Sequence, residues 1–142
     1  MFTQFLRSIR IIFAGIFMGP VIFLGIVLFL QTGIDRPFRI PDDPFLYVVV
    51  AAATVAIISA TMLYRMRLPQ ARAQGTVEDK LTAWRTLFIV KLALTEGAIL
   101  VSIVVLFLQE ADIYVYLAAA LIGVQSLNFP KESTIKSELD IN

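Results

Sequence analysis

Glu96 and Lys91 are the two charged residues of a long apolar run, Phe88–Leu108. A carboxyl near the centre of a bilayer costs on the order of 3 kcal/mol on insertion scales, so Glu96 needs a partner, a proton or a function. Burial in hydrocarbon favours the neutral form of a carboxyl. A neutral carboxyl can fasten helices as a hydrogen-bond donor, and one that recharges can carry a proton or a cation. Glu96 is therefore predicted to serve helix packing or partner binding, with ion handling as the alternative.

Lys91 is the second intramembrane candidate, and its position is less costly. It lies about one turn from Phe88, so its long stem can carry the ammonium back to the headgroups. Five residues separate Lys91 from Glu96, which turns them about 140° apart on a helix and disfavours pairing. Glu96 is expected to face the helix bundle. Its candidate partners are a group on another subunit or the hydroxyls of Thr54, Ser59, Thr61, Thr95 and Ser102.

The residue inventory excludes several kinds of chemistry. The chain contains no Cys and no His, which removes zinc sites, thiolate catalysis, iron–sulfur clusters and imidazole ligation of haem. The sequence predicts no catalytic residues, no metal site and no cofactor, and hence no enzyme. The net charge is +1 and no long basic stretch occurs, so nucleic acid is not an expected partner.

Composition places the chain in a lipid bilayer. Of its 142 residues, 58% are hydrophobic and 16% charged, whereas soluble domains contain about 25% charged residues. A helix needs about 20 apolar residues to cross the hydrocarbon core. The sequence predicts a single all-α domain, residues 1–142, in which four transmembrane helices form an antiparallel bundle. The predicted spans are about 9–30, 45–64, 84–108 and 113–129.

The distribution of basic residues predicts the orientation. The first apolar segment is long for a signal-peptide core, and we expect it to remain as an anchor. With both termini in the cytoplasm, Arg36 and Arg39 lie outside. Nine basic residues then lie inside: Arg7, Arg10, Arg65, Arg67, Arg72, Lys80, Arg85, Lys131 and Lys136. This bias predicts an N-in, C-in multi-pass membrane protein. Interfacial aromatics are expected at Tyr64 and Trp84 inside and at Tyr47, Tyr114 and Tyr116 outside.

Polar residues and prolines punctuate the predicted helices. Asp42 or Asp43 before Pro44 is typical of an N-cap, and Pro69 is expected to break the second helix. Thr76 and Asp79 resemble a capping box, which predicts that the third helix begins near Val77. Asp112 is expected to cap the fourth helix. Residues 131–142 are predicted to form a short amphipathic cytoplasmic tail, with Ile135 and Leu139 on one face.

Small residues predict where helices approach closely, because lipid provides no hydrophobic drive for helix association. The candidates are Gly15, Gly19, Ala52, Ala56, Ala93, Gly97 and Gly123. Uncharged polar residues that are cheap to bury predict interhelical hydrogen bonds at Thr61, Gln125 and Asn128. Packing within the bundle and docking of another chain both remain open as explanations of the small-residue faces.

Two stretches resemble known families. The Leu92–Gly97 segment and the tail after Phe129-Pro130-Lys131-Glu132 resemble uncharacterised small four-helix integral membrane proteins of Bacteroidetes-like bacteria, which implies four membrane helices. Ala93–Ile99 is similar to the carboxylate helix of rotary ATPase proteolipid (c-type) subunits, which implies an ion-binding Glu96. The companion helix of that family is rich in glycine, whereas residues 48–60 carry alanines.

Taken together, these patterns predict a small integral membrane subunit or accessory protein. Its partners would be the lipid bilayer and other membrane protein subunits, in a hetero- or homo-oligomer. The alternative function is proton or cation translocation through Glu96 in an oligomer.

Overall fold

A computed structural model describes residues 1–35, 38, 40, 42 and 44–141. Every regular element among them is an α-helix, which confirms the predicted all-α class. The five helices are α1 (Phe2–Leu30), α2 (Pro44–Arg72), α3 (Val77–Gln109), α4 (Asp112–Ser126) and α5 (Glu132–Leu139). Arg36, Arg39 and the alternative cap Asp43 lie outside the described residues.

Three of the helices are long and apolar enough to cross a membrane. α1 and α2 have 29 residues each and α3 has 33, so each is about 43 Å or longer, compared with a hydrocarbon core of about 30 Å. α4 is apolar but has only 15 residues, or about 22 Å. The fold thus contains three span-capable helices and one shorter apolar helix.

The helix ends agree with the sequence signals in one place and differ in two. Thr76 is the N-cap of α3, and its hydroxyl oxygen accepts a hydrogen bond from the Asp79 backbone N–H at 3.1 Å, as the capping pattern predicted. Pro69 does not break α2 on its N-terminal side; it lies in the last turn of the helix, which ends three residues later at Arg72. Asp112 is the first residue of α4 rather than its cap, a position held by Ala111.

α3 is the central helix. In its most apolar stretch 44% of residues are buried, against 17% for α1 and 11% for α2. α1, α2 and α4 each pack on α3, and α1 also packs on α4. α5 folds back onto α2 and α3. Any side chain of α3 therefore has a different neighbour depending on its angle around the helix axis.

Two apolar clusters hold the helices together at opposite ends of the bundle. The cluster at the α5 end contains Leu6, Ile9, Phe13, Ala71, Leu81, Trp84, Phe88, Leu92, Ile135 and Leu139. The cluster at the other end contains Val27, Val49, Ile99, Ile103, Val105, Leu106, Ala111, Tyr114 and Ala118. Gln31 closes this second end, since its side-chain amide donates to the carbonyls of Leu106 and Phe107, both at 3.3 Å.

Candidate functional site

The Glu96 carboxyl lies at the junction of α3 and α1. A Cβ atom built on Gly19 of α1 would lie 3.3 Å from Glu96 Oε1. Glu96 is partly exposed and stands three residues from Ala93, the midpoint of α3. Within the described part of the chain, no group donates a hydrogen bond to it or forms an ion pair with it. The absence of a side chain at Gly19 thus leaves room for a carboxyl near mid-helix.

Three of the hydroxyls that were candidate partners of Glu96 donate to backbone carbonyls instead. Thr95 donates to the Leu92 carbonyl at 2.9 Å, and Ser102 donates to the Ala98 carbonyl at 3.1 Å. Thr54 likewise donates within its own helix, to the Val50 carbonyl at 2.8 Å. These bonds keep the hydroxyls on their own helices, so the carboxyl gains no donor from them.

Lys91 lies on a different side of α3 and faces α2. Its Nζ atom is 5.0 Å from the centre of the Tyr64 ring, a cation–π arrangement. Lys91 therefore does not neutralise Glu96, in agreement with the expected 140° separation. The two charges of the apolar run belong to two separate environments.

A polar cavity of about 210 Å³ surrounds the Lys91 ammonium at the α5 end of the bundle. Glu138 of α5 lines it, and its carboxylate accepts hydrogen bonds from Trp84 Nε1 at 2.7 Å and from the Tyr64 hydroxyl. Lys131 belongs to the same lining. The complete lining is Tyr64, Trp84, Phe88, Lys91, Leu127, Asn128, Phe129, Pro130, Lys131, Thr134, Ile135 and Glu138.

α5 is the amphipathic tail predicted from the sequence, and it is docked on the bundle. Ile135 and Leu139 are both fully buried, as their spacing indicated. The backbone carbonyl of Glu138 accepts a hydrogen bond from Arg72 Nε, and that of Leu139 accepts one from Lys80 Nζ at 3.5 Å. Lys136 Nζ lies 5.2 Å from the ring centre of Phe2, which places α5 beside the start of α1.

The small residues fall into inward and outward sets. Ala52 and Ala56 are partly buried, whereas Gly19 is exposed and its Cβ position lies 3.3 Å from Glu96 Oε1. Ala93 is exposed. Gly15, Gly97 and Gly123 are also exposed, and a Cβ atom on any of them would meet nothing within 4 Å. These outward positions leave close-approach surfaces free on α1, α3 and α4.

The three polar candidates differ in their surroundings. Thr61 is exposed and lines a cavity between α2 and α4. Asn128, two residues beyond the end of α4, donates to the Val124 carbonyl of that helix at 3.5 Å. Gln125 is 1% exposed, and within the described residues neither atom of its amide group has a hydrogen-bond partner. Gln125 is thus the costliest buried polar group of α4.

Sequence reasoning did not foresee the burial of two aromatics or two polar contacts. Trp84 and Tyr114, which were expected at the membrane interfaces, are 2% and 0% exposed, so they belong to the protein core. The contacts of Gln31 and Glu138 join residues more than 50 positions apart, and no local pattern reports them. An acid three residues after Ile135, and so beside the apolar face of α5, was the available signal for Glu138.

The described residues contain no group of three or more acidic, Cys or His side chains that could hold a metal ion. No family model, curated protein or solved structure matches this chain significantly. The two family resemblances therefore stay predictions.

Proposed function

We propose that this protein is a small multi-pass subunit of the bacterial inner membrane that packs against partner membrane proteins. In this proposal α4 is a fourth, shorter span, and both termini lie in the cytoplasm. The bias of nine basic residues against two supports the orientation. The contact between Lys136 of α5 and Phe2 supports placing both ends of the chain on one side.

The observation that carries the proposal is the carboxyl of Glu96 beside Gly19. An acid at this depth is stable when a donor or a cation compensates it, and the chain's described residues supply neither. Glu96 is also partly exposed, so its carboxyl can be reached from outside the protein. A partner that brings a polar or basic side chain to mid-membrane would satisfy it.

The surface around Glu96 also fits a transmembrane helix of another protein. Ala93 and Gly97 lie within about 100° of Glu96 around α3, and both are exposed. Gly15 is exposed one turn from Gly19 on α1. Small residues permit close backbone approach, which is the main source of van der Waals contact between helices in lipid.

Site-specific photo-crosslinking in native membranes tests the proposal. A photoreactive residue at Ala93 should give a discrete protein adduct, whereas one at Val55, 63% exposed on α2, should give only lipid adducts. Combining the Ala93 crosslinker with Glu96→Leu should abolish the adduct, and Glu96→Gln should retain it. Lipid adducts alone at Ala93 would refute docking at this surface.

The alternative function is proton or cation translocation, favoured by the accessible position of the same carboxyl near mid-helix. Glu96→Gln separates the two functions, because the amide keeps the shape and hydrogen bonding of the acid and cannot titrate. A carrier would lose flux in proteoliposomes while its assembly stays intact. A packing subunit would keep both its partner and the activity of the complex.

A further inference from the structure

Three adjacent cavities lie in a row between α2 and α4, on a different side of α3 from Glu96. Their volumes are about 190, 230 and 210 Å³, and together they make up the α2–α4 groove. Ile57 and Val124 line both the first and the second cavity. Lys91, Leu127 and Asn128 line both the second and the third, which is the polar cavity described above.

The groove is apolar over the part farthest from α5. There its walls are aliphatic side chains with Ala53 and Ala120 between them, and the hydroxyl of Thr54 is turned to the Val50 carbonyl. From Val49 to Tyr64 the groove follows α2 for about 22 Å. Half of a hydrocarbon core is about 15 Å, so the groove can hold an acyl chain of one leaflet over its full depth.

The other end of the groove carries positive charge. Lys91 and Lys131 line it with the hydrogen-bonding side chains of Asn128 and Thr134. Neither lysine forms an ion pair with an acid of the described chain. Glu138 is the one acid in the lining, and its carboxylate accepts hydrogen bonds from Trp84 and Tyr64. Two lysines and one carboxylate leave a net charge of +1, which complements a monoanionic head group.

Because the groove is apolar at one end and positively charged at the other, we infer that it binds a glycerophospholipid with an anionic head group. The phosphate lies at Lys91 and Lys131, and an acyl chain lies along Ala53 and Ala120. Basic pockets between transmembrane helices recognise lipid phosphates in this way. α5 closes the polar end through Thr134 and Glu138, so a helix cannot continue along the groove, whereas a lipid ends there with its head group.

Native mass spectrometry of the full-length protein in nanodiscs tests this site. The discs contain equal amounts of phosphatidylglycerol and phosphatidylcholine. The wild-type protein should retain phosphatidylglycerol preferentially. A double variant, Lys91→Gln with Lys131→Gln, should lower that retention about tenfold, the equivalent of losing one charge-assisted bond. Its control is Lys136→Gln, which removes a cation paired with Glu132 outside the cavity.

A second pair of variants tests the acyl-chain part without changing charge. Ala53→Phe fills the groove and should also displace the lipid, and Ala120→Phe does so from the opposite wall. Ala51→Phe, on an exposed face of α2, should have no effect. Circular dichroism and monodisperse elution identify the variants that fold.

Three results would overturn the inference. If the lipid retained by the wild-type protein and by every variant has the composition of the bulk lipid, that lipid is annular only. Loss of lipid in the lysine variant with no loss in either phenylalanine variant would indicate surface charge without a groove. A dimer that Ala53→Phe dissociates would show that a second copy of the chain occupies the groove. None of these results affects docking at Glu96, which uses α1 and a different side of α3.

Discussion

Lys91 and Glu96, five residues apart on α3, face different neighbouring helices. Lys91 Nζ lies 5.0 Å from the Tyr64 ring centre on α2, and Glu96 Oε1 lies 3.3 Å from the Cβ position of Gly19 on α1. The helical rotation of about 140° between them explains the separation. The central helix therefore presents the Lys91 cation to the α2–α4 groove and the Glu96 acid to α1. The two proposed sites are independent of each other.

Glu138 is expected to hold α5 on the bundle. Glu138→Ala removes the acceptor of Trp84 Nε1 and of the Tyr64 hydroxyl, which leaves two partly or fully buried donors unsatisfied. We expect a loss of about 1–3 kcal/mol in the docking of α5. Faster proteolysis near residues 128–131 and a red-shifted Trp84 fluorescence would report it. Glu132→Ala is the matched control, because among the described residues Glu132 forms an ion pair with Lys136 alone, at the surface. Equal proteolysis of the two variants would exclude this role of Glu138.

Gln31 is expected to stabilise the end of the bundle opposite α5. Its amide donates to two carbonyls in the last turn of α3, and the side chain is 3% exposed. Gln31→Leu should lower the free energy of unfolding by about 1–2 kcal/mol, since both hydrogen bonds from α1 to α3 are lost, although the Leu106 carbonyl keeps the backbone N–H of Glu110. Thermal unfolding in mild detergent measures the effect. Thr32→Ala, whose hydroxyl bonds within the α1 terminus, should change it by much less; a comparable loss there would point to general fraying of α1.

Gln125 is expected to destabilise the isolated protein. Both atoms of its amide are buried without partners in the described structure, and each such group costs about 1–3 kcal/mol. Gln125→Leu preserves the volume and should raise the unfolding temperature. Ser126→Ala on the exposed side of α4 serves as the control. A lower unfolding temperature for Gln125→Leu would mean that water or another chain satisfies the amide in solution.

Local sequence signals predicted the elements better than their contacts. Thr76 and Asp79 predicted the start of α3 because a cap depends on residues three positions apart. The rotation between Lys91 and Glu96 predicted that the two would not pair. The sequence could not predict which helix each would face, because α3 is apolar on nearly every side and no stripe marks its neighbours.

The amphipathic tail, α5, also shows that local sequence signals predict an element but not its contacts. Ile135 and Leu139 predicted an apolar face for α5, yet the contact of Glu138 with Trp84 spans 54 positions and depends on how α5 folds back. The aromatic type of Trp84 and its place at the inner end of a predicted span indicate its depth in the membrane, but not whether it is buried in the protein. Its burial follows from the docking of α5 and from the stacking of its ring on Phe88 at 4.9 Å, which are tertiary events.

Gly19 is expected to determine where the Glu96 carboxyl points. Gly19→Leu places a side chain where Glu96 Oε1 lies, so the carboxyl must turn away from α1. Moving the end of this flexible side chain costs up to about 1 kcal/mol, whereas Gly15→Leu, where a Cβ atom would meet nothing within 4 Å, should stay within about 0.5 kcal/mol of wild type. The turned carboxyl should also react faster with a lipid-soluble carbodiimide, followed by mass spectrometry of the Glu96 peptide. If Gly15→Leu and Gly19→Leu change stability and labelling equally, the carboxyl does not rest against Gly19, and the opening toward a partner lies elsewhere on α3.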